Sequence, residues 1–457
     1  MLILFSIGCV LLFVGVAAYQ PAAFYFLLLY SGLDHALPEW LPYRNVPVLL
    51  RFTALGGMIT GYLFRRAPLS GLFCPDRISK FMLLWWGTIC LSFVLARNFS
   101  DWGLRAMMMC ASMYACYVVF RSWLRTERKI MFSLLSLAAL VAVSGALGIV
   151  QFLIGGYTTI FMAIHAYSIE MSDWAGRATG LCSAGPNAYA GFLNLYLPFA
   201  IAGLFTERLK AHRFWLALAV ALGLVGIVLS GTRGAAIATV FTFFLAVLCF
   251  VRDRRKRKAY AVAFVVVVPL VAGAIALLSP RLTDVDAQES VLIRYAIWSE
   301  AVRLYGGHPV LGIGFGNFRE SFDTSVIMAQ PGQLDVHNLY LQFLTESGAV
   351  GLVVFLGFWG YVVWRASKDL SLYPRGSLQR GVCYAIIAAV ASMFVHGVVD
   401  FLFISGPEFG GALAIVLAMF AATRQLNVTE MATAPHTDRP LSSKTVSDEG
   451  DLVTRGM

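Results

Sequence analysis

Residues 213–251 read RFWLALAVALGLVGIVLSGTRGAAIATVFTFFLAVLCFV. Two apolar runs, 213–230 and 233–251, flank one short polar turn. Each is long enough to cross a bilayer as a helix, which takes about 20 residues. The cluster RDRRKRK follows at 252–258 and is the densest basic stretch in the chain. Such clusters stay on the cytoplasmic side of a membrane. The stretch therefore reads as a transmembrane hairpin. Its turn, with Arg233 between Gly231 and Gly234, faces the opposite side.

The same pattern extends in both directions. The 457 residues are 59% hydrophobic and only 13% charged, with mean hydropathy +0.74, whereas soluble domains are about a quarter charged. The expected fold is an all-α polytopic membrane protein with about 12 transmembrane helices. The spans fall near 3–31, 45–64, 79–96, 103–123, 130–154, 187–205, 213–230, 233–251, 259–279, 338–364, 381–402 and 408–423. The first carries Pro21 and reads either as one kinked span or as two half-helices. No basic segment precedes it, so it is expected to be a retained helix and not a cleaved signal.

The expected organisation is spans 1–9 over 1–279, a large outer loop over 280–337 with a helix at 287–305, spans 10–12 over 338–424, and a disordered tail over 425–457. Most of the 35 basic residues, and every lysine, fall in alternate loops on one side. That side, with both termini, is expected to be cytoplasmic. The charge of +10 is thus explained by orientation, not by nucleic acid. The eight cysteines are scattered without CxxC or metal-type spacing, so neither a disulfide frame nor a metal site is expected.

The outer segments 34–44, 155–186 and 280–337 carry the candidate chemistry. His337 stands where the last of these meets the tenth span, with Asn338 as helix cap and Asp335 able to orient the ring. Neutral imidazole can accept a proton from a hydroxyl near pH 7. Arg303, Arg319 and Arg281 have the acidic neighbours Glu300, Asp323 and Asp284 and read as ordinary ion pairs. Arg233 and Arg294 have none, and two unpaired guanidiniums at a membrane surface suit a phosphate or diphosphate; headgroup snorkelling is the plainer alternative. Arg177 is less clear, because Asp173 could pair with it. His396 and Asp400 are four apart near the outer end of the eleventh span and are expected to pair or to line a polar cavity. GIGFGN at 312–317 lacks a strand–helix context and reads as a turn, not a nucleotide loop.

Taken together, LSGTRGA, RYAIWSEAVRLYGGHPVLGIGFGNF and HNLYLQFLTESGAVG resemble the O-antigen ligase and polymerase superfamily of bacterial envelopes, in detail over about 230–405. Within it the chain looks most like the O-antigen ligase. The resemblance implies an inner-membrane glycosyltransferase, with its active site facing the periplasm, that moves O-antigen from undecaprenyl diphosphate onto lipid A-core. It implies an inverting transfer that needs no metal or other cofactor. It maps the essential histidine to His337 and the essential arginines to Arg233 and Arg294, with Arg177 a less secure transfer. Arg177, Asn338, Trp298, His396 and Asp400 are read as substrate-binding. Partners are the lipid-linked donor, the lipid A-core acceptor and membrane lipids. An O-antigen polymerase, a protein O-oligosaccharyltransferase and a lipid-linked glycan flippase are the competing readings.

Overall fold

The computed structural model describes residues 2–19, 21–33, 46–66, 68–71, 73, 76–96, 99–154, 177–182, 185–251, 253–256, 258–259, 262, 285–322, 335–401 and 407–433. These residues form helices and no strand. In chain order they are α1 (Leu2–Ala18), α2 (Pro21–Leu33), α3 (Val46–Phe64), α4 (Arg77–Val94), α5 (Asp101–Trp123), α6 (Glu127–Leu153) and α7 (Pro186–Leu204). There follow α8 (Arg213–Leu229), α9 (Arg233–Phe250), α10 (Val285–Gly307), α11 (Leu339–Leu372), α12 (Leu378–His396) and α13 (Pro407–Thr433). Seven helices among the described residues are long and apolar enough to cross a membrane. The expected ninth span, 259–279, lies almost wholly outside the described residues.

Polar residues at the edges of the apolar runs start the helices. Asp76 accepts from the Ser79 amide at 2.7 Å before α4, and Ser100 accepts from Gly103 at 2.9 Å before α5. Asn338 accepts from both Tyr340 and Leu341 before α11. Each side chain satisfies an amide that the helix itself cannot. At the centre, α7 is buried on all sides by α6, α8, α9 and α12. Its one mid-helix amide, Asn194, donates to the Ala235 carbonyl at 2.8 Å and accepts from Thr239 at 2.7 Å. A polar group at that depth needs such partners.

The first expected span is two helices, not one. α1 ends at Ala18, and Pro21 opens α2, where its missing N–H costs nothing. Phe13 and Val16 of α1 lie against Gly57 of α3, Ala17 lies against Gly61, and Arg65 donates to the Ala18 carbonyl. Rising numbers pair with rising numbers, so α1 and α3 run parallel. Phe24, at the start of α2, packs on Phe120 and Trp123 from the last turns of α5. Thus α1 and α2 form a hairpin whose turn lies at the same end as Arg65 and Arg121. The end of α13 lies there too, where Arg424 meets Asp369 at 3.1 Å. Both termini were expected on one side; among the described residues, α1 starts at the end opposite to the one where α13 finishes.

Three boundaries also move. The expected helix 287–305 is α10, Val285–Gly307; the span expected over 381–402 stops at His396; and α13 runs past 425 to Thr433, into the expected tail. The rest of the tail lies outside the described residues.

The span expected over 338–364 becomes a broken helix. Within α11, Gly348 has φ 66° and ψ −172°, a conformation open essentially to glycine alone. The rings of Phe343 and Phe355 stack at 4.2 Å, although a straight helix would set these positions roughly 18 Å apart along its axis. Residues 339–347 therefore fold back on the longer segment that follows. The turn 308–314 satisfies the break: Ile313 and Gly314 amides donate to the Thr345 and Glu346 carbonyls, while Ala349 and Val350 donate to Pro309 and Val310. Ser92 of α4 adds a bond of 2.7 Å to the Glu346 carbonyl. The glycine-rich turn is thus the cap for both sides of the break.

Candidate functional site

The site forms where the starts of α7, α9 and α11 meet the ends of α8 and α12, opposite the basic end of the bundle. His337 precedes α11 with φ 50°, one of two non-glycine residues at positive φ among those described. Such a backbone persists only where its surroundings fix it. Here Trp298 donates its indole N–H to the Val336 carbonyl at 2.9 Å, and the Val336 amide donates to Gln342 at 3.0 Å. Asn338 caps α11 and donates to the Val398 carbonyl at 2.9 Å.

The His337 Nδ1 lies 3.5 Å from Asp400 Oδ1, the outer limit of a hydrogen bond. The His337 side chain is 38% exposed and that of Asp400 only 6%. Burial draws the His337 pKa down, and the hydrogen bond and charge of Asp400, with Asp335 farther off, raise it by more; Arg294 opposes them, and the net shift is upward from 6.5. Asp400 is itself held by the Phe401 amide at 2.8 Å and by the Asn187 side-chain amide at 2.9 Å. Asn187 in turn accepts from Arg177 at 2.9 Å and from Thr232 at 3.2 Å. Arg177 also donates to the Ser230 carbonyl at 2.7 Å and to Thr232 at 3.1 Å. One polar chain thus runs from imidazole to carboxylate to amide to guanidinium.

Arg233 is exposed in the first turn of α9, and Arg294 is half-buried on α10. Among the described residues neither is ion-paired. The charge of Arg294 reaches both His337 and His396. The N-terminus of α9 receives no side-chain cap from Thr232, whose hydroxyl is turned to Pro186, Asn187 and Arg177. Gly234 lets α9 begin against the end of α12: a Cβ there would lie 2.4 Å from Val399 and 3.1 Å from the His396 ring.

Several expected roles are corrected. Asp335 does not orient His337; Arg319 takes it with two bonds of 2.9 and 2.7 Å. Asp323, the expected partner of Arg319, lies outside the described residues, as do Asp173, Arg281 and Asp284. Arg303 pairs with Glu300 at 2.6 Å as expected. His396 and Asp400 do not share a helix face, because α12 ends between them and Asp400 turns to His337. Of the residues read as substrate-binding, Asn338 and Trp298 fasten the backbone around His337, Asp400 lies against its ring, and His396 is fully buried. Asn187 and Thr232 escaped the sequence reading. The signal was an Asn directly after Pro186 at the head of a helix, in the same stretch as Arg177.

Fold and site together define a multi-pass helical membrane protein with a polar cluster at one end of its bundle. Residues 218–356 match the protein-family model described as O-antigen ligase, which supports a likeness of this part of the chain to the O-antigen ligase superfamily. The match takes in Arg233, Arg294, His337 and the break at Gly348; Arg177, Asn187 and Asp400 lie outside it. No curated protein matches the chain.

Proposed function

We propose that the protein is an O-antigen ligase, transferring glycan from undecaprenyl diphosphate to a sugar of lipid A-core at the periplasmic face of a bacterial inner membrane. The carrying observation is the half-exposed His337 ring, backed by a buried carboxylate at the same end of the bundle as Arg233, which, like Arg294, has no ion-pair partner among the described residues. His337 takes the proton from the acceptor hydroxyl through Nε2. Asp400 accepts the Nδ1 hydrogen and stabilises the imidazolium that forms. The acceptor oxygen bonds to the anomeric carbon as the bond from that carbon to the diphosphate breaks on the opposite face, which inverts the centre. Negative charge grows on the departing lipid diphosphate. Arg233, Arg294 and the uncapped start of α9 stabilise it, and Arg177 holds the wall behind them. Guanidiniums already in place need no reorganisation as the charge develops, and the reading requires no metal.

Purified protein incubated with undecaprenyl-diphosphate glycan and lipid A-core, with chelator present, is expected to give mass-shifted lipopolysaccharide. His337→Ala should lower the rate by about 10²–10⁴-fold while its melting temperature and yield stay at the parent values. Transfer by the variant at the parent rate would sink the base assignment. Transfer only to a second lipid-linked glycan, or only to a protein, would replace the acceptor.

A further inference from the structure

A polar cleft lies beside the segment that carries Asp335, Val336 and His337. Trp102 and Arg105 project into it from the first turns of α5, with the Arg105 guanidinium 5.0 Å from the indole centroid. Arg319 lies 4.1 Å from the same ring while it grips Asp335 with both arms of its guanidinium. Gln342 and Glu346 line it on one side, and the cleft is shallow and open to the surface. Two of its lining residues are neighbours of the His337–Asp400 pair in the chain: Asp335 lies two residues before His337, and Phe401 directly follows Asp400. Asp335 is near enough for its charge to act on the imidazole.

The cleft is built in advance. Ser100, the cap of α5, bonds to the Asn317 side chain, and Gly103 lies against the Gly316 backbone. The Phe318 amide donates to the Glu346 carboxyl at 3.0 Å. Trp102 and Arg319 are therefore fixed against each other through two elements that are themselves pinned.

From this geometry we infer that the cleft is the subsite for an acceptor sugar ring that carries an anionic group, such as a phosphate. The inference rests on the transfer reaction proposed above. The indole holds the Arg105 and Arg319 guanidiniums over its ring and so sets their placement. The Arg319–Asp335 pair presents donors and acceptors side by side, which suits adjacent hydroxyls. Arg105 has no acidic partner among the described residues, and it supplies the positive charge that an anionic substituent would meet. A sugar seated there brings one hydroxyl past Asp335 to His337. Arg105 and Trp102 are then specificity residues for the acceptor, distinct from the donor arginines.

The test uses the full-length protein in lipid nanodiscs, with two soluble probes: delipidated core oligosaccharide carrying its phosphates, and the same oligosaccharide dephosphorylated. In Arg105→Gln the KM for phosphorylated lipid A-core should rise about tenfold or more, with donor KM unchanged. Saturation-transfer NMR without donor should show the phosphorylated probe binding the parent more tightly than the variant by a similar factor, and the dephosphorylated probe binding both alike. Three results overturn the inference: equal binding of the phosphorylated probe by parent and variant, parallel loss of donor and acceptor affinity, or a variant sensitive only to anionic phospholipid in the nanodisc. Arg105-dependent binding of the probe in a parent protein that transfers no glycan would instead sink the ligase reading and leave the cleft as an anionic-sugar site.

Discussion

At His337 the backbone adopts a left-handed conformation that costs roughly 1–3 kcal/mol in a side chain with a Cβ. Trp298, Gln342 and Asn338 hold it there, and the result is a ring aimed between Asp400 and open space. A base works only when neutral. Because Asp400 and Asp335 raise the ring's pKa from 6.5, activity should fall on acidification from a pH above that ordinary value. In Asp400→Asn the stabilising charge is gone, so the pKa drops and the acid limb of kcat/KM should move to lower pH. The plateau should fall too, since the imidazolium formed during transfer loses its counter-charge. A pH–rate profile of the purified variant reads both effects; a reduced plateau with an unmoved limb would leave Asp400 with a merely structural role.

Among the elements, the broken helix α11 sets how the site is supported. Its first segment carries Gln342, Glu346 and the cap Asn338, and the turn 308–314 reaches it only because the helix opens at Gly348. A Cβ on Gly348 would lie 2.2 Å from the Val310 carbonyl oxygen, whereas one on Gly357, later in the same helix, would meet nothing within 4 Å. Gly348→Ala should therefore prevent the fold-back and sharply lower the melting temperature in detergent. Gly357→Ala should be neutral or stabilising by about 0.5–1 kcal/mol, read from the same melts. The helix itself was legible as an apolar run with a capping Asn. The break was not, since SGAVG at 347–351 sits inside an unbroken hydrophobic stretch, and only the far turn at 308–314 makes its geometry affordable. The partner of His337 was hidden for a similar reason. Asp335 is near it in sequence, but Arg319 wins that carboxylate, and Asp400 arrives from another helix end. Arg233 and Arg294 were legible because the absence of a nearby acid is a local property.

At the scale of the molecule, orientation is where charge counting reached its limit. The rule that basic loops stay in the cytoplasm reads loops with charges in them. The turn between α1 and α2 has none: no acidic or basic residue occurs before Asp34. Its position is fixed instead by packing, with α1 alongside α3 and the Ala18 carbonyl satisfied by Arg65. If the end bearing Arg65, Arg66, Arg121 and Arg424 is cytoplasmic, α1 begins toward the periplasm, and α2 turns back toward it. Single cysteines in a background without the eight native ones discriminate the two topologies. Leu2→Cys should react with an impermeant maleimide added to intact spheroplasts, as should Gly306→Cys beside the outer turn, while Arg66→Cys at the end of α3 should react only after lysis. Protection of Leu2→Cys until lysis would mean that α1 and α2 make a single kinked crossing, and the parallel packing of α1 on α3 would have to be abandoned with it.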